Sequence, residues 1–227
     1  MSTITPTDPS PAFVPIRSGD LRTVFRGVDR HTYNQLSEAT GEGQPVRLIF
    51  DGNDLEIMVT GNVHERYKEL LGTIVRAVTM GLDRDHVSCG QTTWKTVLRG
   101  LEADLSYYFD AEKVRVAKEA LARMSLDPAD YPRPDLAIEI DMSPPQVDRP
   151  AIYTDLGVAE VWRLVRGQEL LIEQLQRDGS YAVVEESRFL HIRAEDVIRW
   201  LNEAATDREA AWNRRLNQWA MGLGHHA

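Results

Sequence analysis

An α/β (α+β) fold follows from the way two kinds of pattern share this chain. Some segments repeat apolar residues at three- and four-residue spacing, as helices with one buried face do, while shorter runs rich in Val, Ile, Leu and Tyr alternate as strands do. The two kinds interleave from end to end, and no internal repeat is visible. With 227 residues, 42% of them hydrophobic and 27% charged, the chain can build one sizeable core of ordinary globular composition.

In chain order, residues 1–17 carry Pro6, Pro9, Pro11 and Pro15 among Ser and Thr, a composition expected to form a flexible tail. A short helix is expected from Asp29 to Ala39, ended at Gly41, followed by a hairpin in which Arg47 to Phe50 and Leu55 to Met58 flank the turn Asp51-Gly-Asn-Asp. The clearest helix runs from His64 to Met80, with Tyr67, Leu70, Leu71, Ile74, Val75 and Val78 as its apolar stripe and Gly81 as its stop. At about 100° per residue, His64 falls at the edge of that stripe and Glu65 points away. Strands are expected over Thr92 to Leu98 and Leu101 to Phe109, then a helix over Ala111 to Met124 and a rigid proline loop from Asp127. A short helix from Arg149 to Leu156 stops at Gly157, and Val158 to Val165, Glu169 to Gln176 and Tyr181 to Glu186 read as strands, the last two joined by the turn Arg177-Asp-Gly-Ser. Helices over Ala194 to Ala205 and Asp207 to Met221 close the chain, with Trp200, Trp212 and Trp219 packing on the body or on a second subunit.

Composition excludes several classes. No apolar run could span a bilayer, no basic region precedes an apolar stretch at the N-terminus, and Cys89 is the single cysteine, so neither a disulfide framework nor a multi-cysteine zinc site is available. The cytoplasm is the expected address. A formal net charge of −9 argues against non-specific coating of nucleic acid, whose affinity comes from Lys and Arg displacing counterions. It leaves room for an enzyme acting on nucleic acid through a locally basic surface, with Arg76, Arg84, Lys95 and Arg99 as candidates.

The run from Pro134 to Asp141 sets three carboxylates among strand formers. Alternation puts Asp135, Glu139 and Asp141 on one side with Ala137, and Leu136, Ile138 and Ile140 on the other. Such an acidic face is either solvated or a ligand set. Mg²⁺ takes oxygen ligands and commonly uses one or two protein carboxylates, leaving its other positions to water and substrate phosphate. Asp104 and Glu139, presented by different strands, form the natural pair, with Asp135 as an alternative or additional ligand. In phosphodiester hydrolysis such a metal orients phosphate and activates water.

Four blocks, in order, carry a resemblance: Val63-His64-Glu65-Arg66, Gly100-Leu101-Glu102-Ala103-Asp104, Pro134 to Asp141, and Ile152-Tyr153 through Gly157 to Arg163. Over about residues 25 to 205 the chain resembles the Uma-two family of restriction-endonuclease-like proteins in the PD-(D/E)XK nuclease superfamily. The resemblance implies a mixed β-sheet flanked by helices, here with a C-terminal helical extension, and a Mg²⁺- or Mn²⁺-dependent endonuclease site acting on DNA. It implies that Asp104 is the first-strand acid, Glu139 the acid of the second half-motif, and His64 the histidine opening the first long helix. The superfamily lysine two residues after the acid is replaced by Asp141. Relatives place the cation on the next helix, four residues before a tyrosine, which here is Arg149 before Tyr153. Arginine stays protonated, so it can hold phosphate but cannot take a proton from water.

The expected organisation is a tail over 1–17, a nuclease-like domain over 18–205, and a C-terminal helix and tail over 206–227. A homodimer is expected from the tryptophan-bearing last helix, and no membrane association. The competing expectation is a nuclease fold without hydrolytic activity, serving as a nucleic-acid-binding or protein-interaction module.

Overall fold

A computed structural model describes residues 20–224 apart from 42–44, 91, 97 and 126, so the expected tail over 1–17 lies outside the described residues. The fold is mixed α/β, as the sequence indicates, but the strands form two sheets where one was expected. The first sheet has the order β1-β3-β2-β6-β5, from β1 (Leu21–Phe25), β2 (Val46–Phe50), β3 (Leu55–Val59), β5 (Thr92–Lys95) and β6 (Gly100–Ala103). The second has the order β11-β10-β9-β8-β7-β4, from β4 (Val87–Ser88), β7 (Leu105–Tyr108), β8 (Leu136–Asp141), β9 (Glu160–Val165), β10 (Glu169–Leu175) and β11 (Tyr181–Val184).

The division comes from one residue. The run from Leu101 to Phe109 is not one strand: it breaks at Asp104, with β6 in the first sheet and β7 in the second. The second sheet is the mixed one. Its parallel pair, β8 and β9, is joined through helix α4 (Arg149–Leu156), which begins on the Asp148 cap and ends at Gly157 in the left-handed conformation, φ 68°.

Helices cover both faces of this sheet. Against one face, α2 (Asn62–Gly81), α5 (Ala194–Thr206) and α6 (Glu209–Leu223) bury Leu71, Ile74, Val78, Trp200, Trp212 and Leu216 over Leu136, Ile138, Ile140, Trp162 and Leu164. The opposite face carries Ala137 and Val161 beneath α3 (Ala111–Ala122), α4 and the first sheet, packed with Val114, Ile152, Leu156, Ile49 and Leu101. A third cluster joins Tyr33 of α1 (Arg30–Thr40) to Leu48, Phe50 and Leu55.

The closing helices are bound tightly to the body. A Cβ on Gly81 would collide with the Ala220 carbonyl, so the backbones of α2 and α6 cross at a distance that glycine alone allows. Trp212 is buried and donates its indole N–H to the Trp200 carbonyl at 2.8 Å, while Trp200 and Trp219 meet with ring centroids 5.5 Å apart. These tryptophans pack on the body of their own chain, which removes the ground for expecting a second copy. Among the described residues no helix is long and apolar enough to cross a membrane.

Candidate active site

Asp104 stands where the chain leaves one sheet for the other. Leu105 pairs with Ile138 across the antiparallel ladder, which sets Asp104 beside Glu139. The strand break frees the Ile140 N–H, and it donates to Asp104 Oδ2 at 2.8 Å, while His64 Nε2 lies 2.9 Å from Oδ1. His64 enters from the first turn of α2, inward as its helical position predicts, while Glu65 is exposed. Its second nitrogen faces Asp20 Oδ1 at 3.2 Å, an ion contact rather than an aligned hydrogen bond. Arg47 Nε stands 3.7 Å from Asp104.

Glu139 is held from α4. Arg149 and Tyr153, four residues apart, share one helix face and reach the same carboxylate. The Tyr153 hydroxyl donates to Oε1, and Arg149 Nη1 donates to Oε2 at 3.0 Å. That nitrogen also contacts Asp141 Oδ1 at 3.0 Å, and Arg149 Nη2 reaches Glu56 Oε1 at 3.4 Å. Arg22, from edge strand β1, bonds Glu56, contacts Asp141 Oδ1 at 3.0 Å and donates through Nε to Ser143 Oγ at 2.8 Å. The Gln146 N–H closes the cluster on Glu56 Oε2 at 2.6 Å.

The charges in this buried cluster do not balance. Asp20, Glu56, Glu102, Asp104, Glu139 and Asp141 bring six carboxylates, whereas Arg22, Arg47, Arg149 and His64 bring four cations. Burial pushes the Glu139 carboxyl up to about 7; Arg149 opposes that rise and the charges of Asp104 and Asp141 reinforce it. Asp104 moves the other way: burial would raise it, but His64, the Ile140 N–H and Arg47 hold it below the usual carboxylate range. Burial pulls the His64 imidazole down, and the stronger pull of Asp104 and Asp20 lifts it to about 9. His64 is therefore an imidazolium at neutral pH, a clamp on Asp104 rather than a proton acceptor.

The structure thus gathers Asp104, Glu139, His64, Arg149 and Asp141. Asp135 lies apart from them. Its Oδ2 accepts the Phe109 and Asp110 N–H groups at 2.7 and 2.8 Å, and its Oδ1 accepts Lys113 at 2.6 Å, so it fastens the start of α3. The residues that sequence reasoning missed are Asp20, Arg22, Arg47, Glu56 and Tyr153. Glu56 and Tyr153 had signals, an acid alternating with apolar residues in a strand and a tyrosine four residues from Arg149. Asp20 and Arg22 had none, because β1 is an edge strand whose Leu21 and Phe25 are exposed. The four arginines and lysines proposed as one basic surface divide: Arg76 and Arg84 line one groove with His86, Lys95 lines another with Arg133, and Arg99 is paired with Asp155. The second of these grooves encloses about 780 Å³, and neither Asp104 nor Glu139 lines it.

The donor set suits a hard divalent cation. Its acids are all oxygen donors, the cluster keeps excess negative charge, and Asp141 Oδ2 is buried without a hydrogen-bond partner. Among the described residues, no three His, Cys, Asp or Glu side chains are grouped as a ready cage, so two carboxylates with water and phosphate form the arrangement these residues can supply.

Fold and site define an α/β protein with a buried acid and arginine centre at the junction of two sheets. The profile of the Uma2 family, described as "Putative restriction endonuclease", matches residues 31–205, most of the chain, and the protein belongs to that family. A crystal structure of a "putative nuclease belonging to DUF820" from Anabaena variabilis is similar to it at 13% identity, covering 74% of this chain and 98% of that one with a TM-score of 0.47. No curated protein matches.

Proposed function

We propose that this protein is a Mg²⁺-dependent endonuclease, with Mn²⁺ able to substitute, that hydrolyses phosphodiester bonds in DNA. The observation that carries this reading is the pairing of Asp104 and Glu139 across adjacent strands in a buried site with too few cations. Asp104 and Glu139 would hold the metal, and Asp141, two residues along the strand from Glu139 and with a free Oδ2, takes the supporting role in place of Asp135, which is bound at the start of α3 outside the cluster. A bound divalent cation supplies Lewis-acid polarisation of the phosphate and a water of lowered pKa. The chain's own groups fix the carboxylates. His64 orients Asp104, Tyr153 and Arg149 orient Glu139, and Arg22 and Arg149 offset Asp141. Arg149, already engaged with three carboxylates, is a positioning cation rather than the main phosphate contact.

The test is cleavage of plasmid and single-stranded DNA with Mg²⁺ or Mn²⁺, against EDTA. Activity is expected in the wild type and absent from Glu139→Ala and from the Asp104→Ala/Glu139→Ala pair; cleavage that survives Glu139→Ala belongs to a contaminant. One observation favours a second reading. Arg149 bridges Glu139 and Asp141, where a lysine or metal would otherwise compensate them, as in a nuclease fold kept as a binding module. Wild-type protein that binds DNA and never cuts it with either metal would establish that reading instead.

A further inference from the structure

A groove of about 350 Å³ opens beside the acid cluster, at the carboxyl ends of the parallel strands β8 and β9, a place where open α/β sheets commonly receive ligands. One wall is Ser143, Pro144 and Pro145; the other is Arg163 and the turn between β9 and β10; Asp141 also lines it. Arg163 stands in register with Glu139 on the neighbouring strand and is held by Glu173 through bonds of 2.6 and 2.7 Å, so its guanidinium is fixed in place.

Arg166 differs from every arginine of the acid cluster. It is exposed, and among the described residues its guanidinium has no ionic partner. It opens the three-residue connection 166–168 of the β9–β10 hairpin, in which the Gln168 N–H donates to the Val165 carbonyl at 3.0 Å, with φ 52° at Arg166 and 70° at Gly167. Asn or Gly fits such a position at less cost than arginine does. Its own N–H donates to the Asp141 carbonyl at 2.8 Å, which ties the turn to the last residue of the acidic strand. Arg22 and Arg149 both hold Asp141 Oδ1 and offset part of its charge, and exposed Glu169 is the other acid of the groove.

We infer that this groove seats the nucleic-acid strand next to the bond being cut, with Arg166, backed by Arg163, holding a flanking phosphate. The inference rests on the nuclease reading in taking that phosphate as neighbour to the scissile one. Binding without turnover separates the two.

The full chain is titrated in EDTA against a fluorescein-labelled single-stranded DNA oligonucleotide by anisotropy, over a range of salt. Arg166→Gln is expected to weaken binding about tenfold, the size of one charge-assisted contact, and to lower the salt slope by about 1. Glu169→Gln should tighten binding, and Arg177→Gln, at an exposed turn outside the groove, should leave it unchanged. Arg166→Gln binding like the wild type, or a wild type that does not bind the oligonucleotide, overturns the groove. A wild type that binds through Arg166 yet cuts nothing with Mg²⁺ or Mn²⁺ overturns the proposed activity and leaves the groove standing.

Discussion

His64 illustrates how a single residue couples folding to pH. Its imidazolium lies between Asp104 and Asp20, and its pKa rises from 6.5 to about 9. A raised pKa means the folded state holds the proton more tightly than the unfolded state, so the stabilisation is complete below about pH 6.5 and is lost as pH climbs through 9. Metal-free protein should therefore lose up to about 3 kcal/mol of stability across that window, and His64→Gln should flatten the slope; urea unfolding at several pH values measures both. Glu139 gives a second pH signature. Its carboxyl must ionise to hold a cation, so Mg²⁺ affinity should fall as pH drops below about 7. The Tyr153 hydroxyl bond lowers the pKa of the metal-free carboxyl, so Tyr153→Phe should move the onset of that fall to higher pH, read by calorimetric titration of Mg²⁺ at several pH values. Sequence reasoning reached Asp104 and Glu139 as acids on two strands and the inward position of His64 from its helical spacing, while the roles of His64 and Arg149 came from the family resemblance. Arg22 was out of reach, since its partners Glu56 and Asp141 are distant in the chain and only folding brings them together.

Among the elements, the ones with a strong period or a clear cap were legible. Helix α2 declared itself by its apolar stripe, α4 by Gly157, and β10 and β11 by the turn between them. Two strands escaped. β4 has two residues, too few for any period, and β1 is held by its ladder to β3 rather than by a buried apolar face. The break at Asp104 also escaped, because Leu101 to Phe109 has no proline or glycine to mark it. Close approach of α2 and α6 at Gly81 gives a test at this scale. Gly81→Ala forces a methyl group into the Ala220 backbone, and the strain should cost about 1–3 kcal/mol and loosen α6, read as a lower unfolding midpoint and faster hydrogen exchange in residues 209–223.

For the whole molecule, a net charge of −9 and an acid-rich centre make cations the natural stabilising ligand. Mg²⁺ added to metal-free protein should raise the thermal midpoint, because a ligand that binds only the folded state stabilises it, and the shift should vanish in Asp104→Asn/Glu139→Gln. An unchanged midpoint in the wild type would argue against the metal site itself. The six helices of the described residues and most of their strands were present in the sequence as periods, caps and turns, and so was the division of the acidic strand into an apolar and an acidic face, whereas the split into two sheets was not. Local patterns carry such information because backbone geometry sets which residues share a face. The surroundings of the acidic face were decided by tertiary structure alone. All six residues of β8 are buried, and the face that could have met water lies instead under α4 and the first sheet. Burial depends on contacts between residues far apart in the chain, and burial is what turns an ordinary glutamate into an acid that titrates near neutrality and a run of charges into a site.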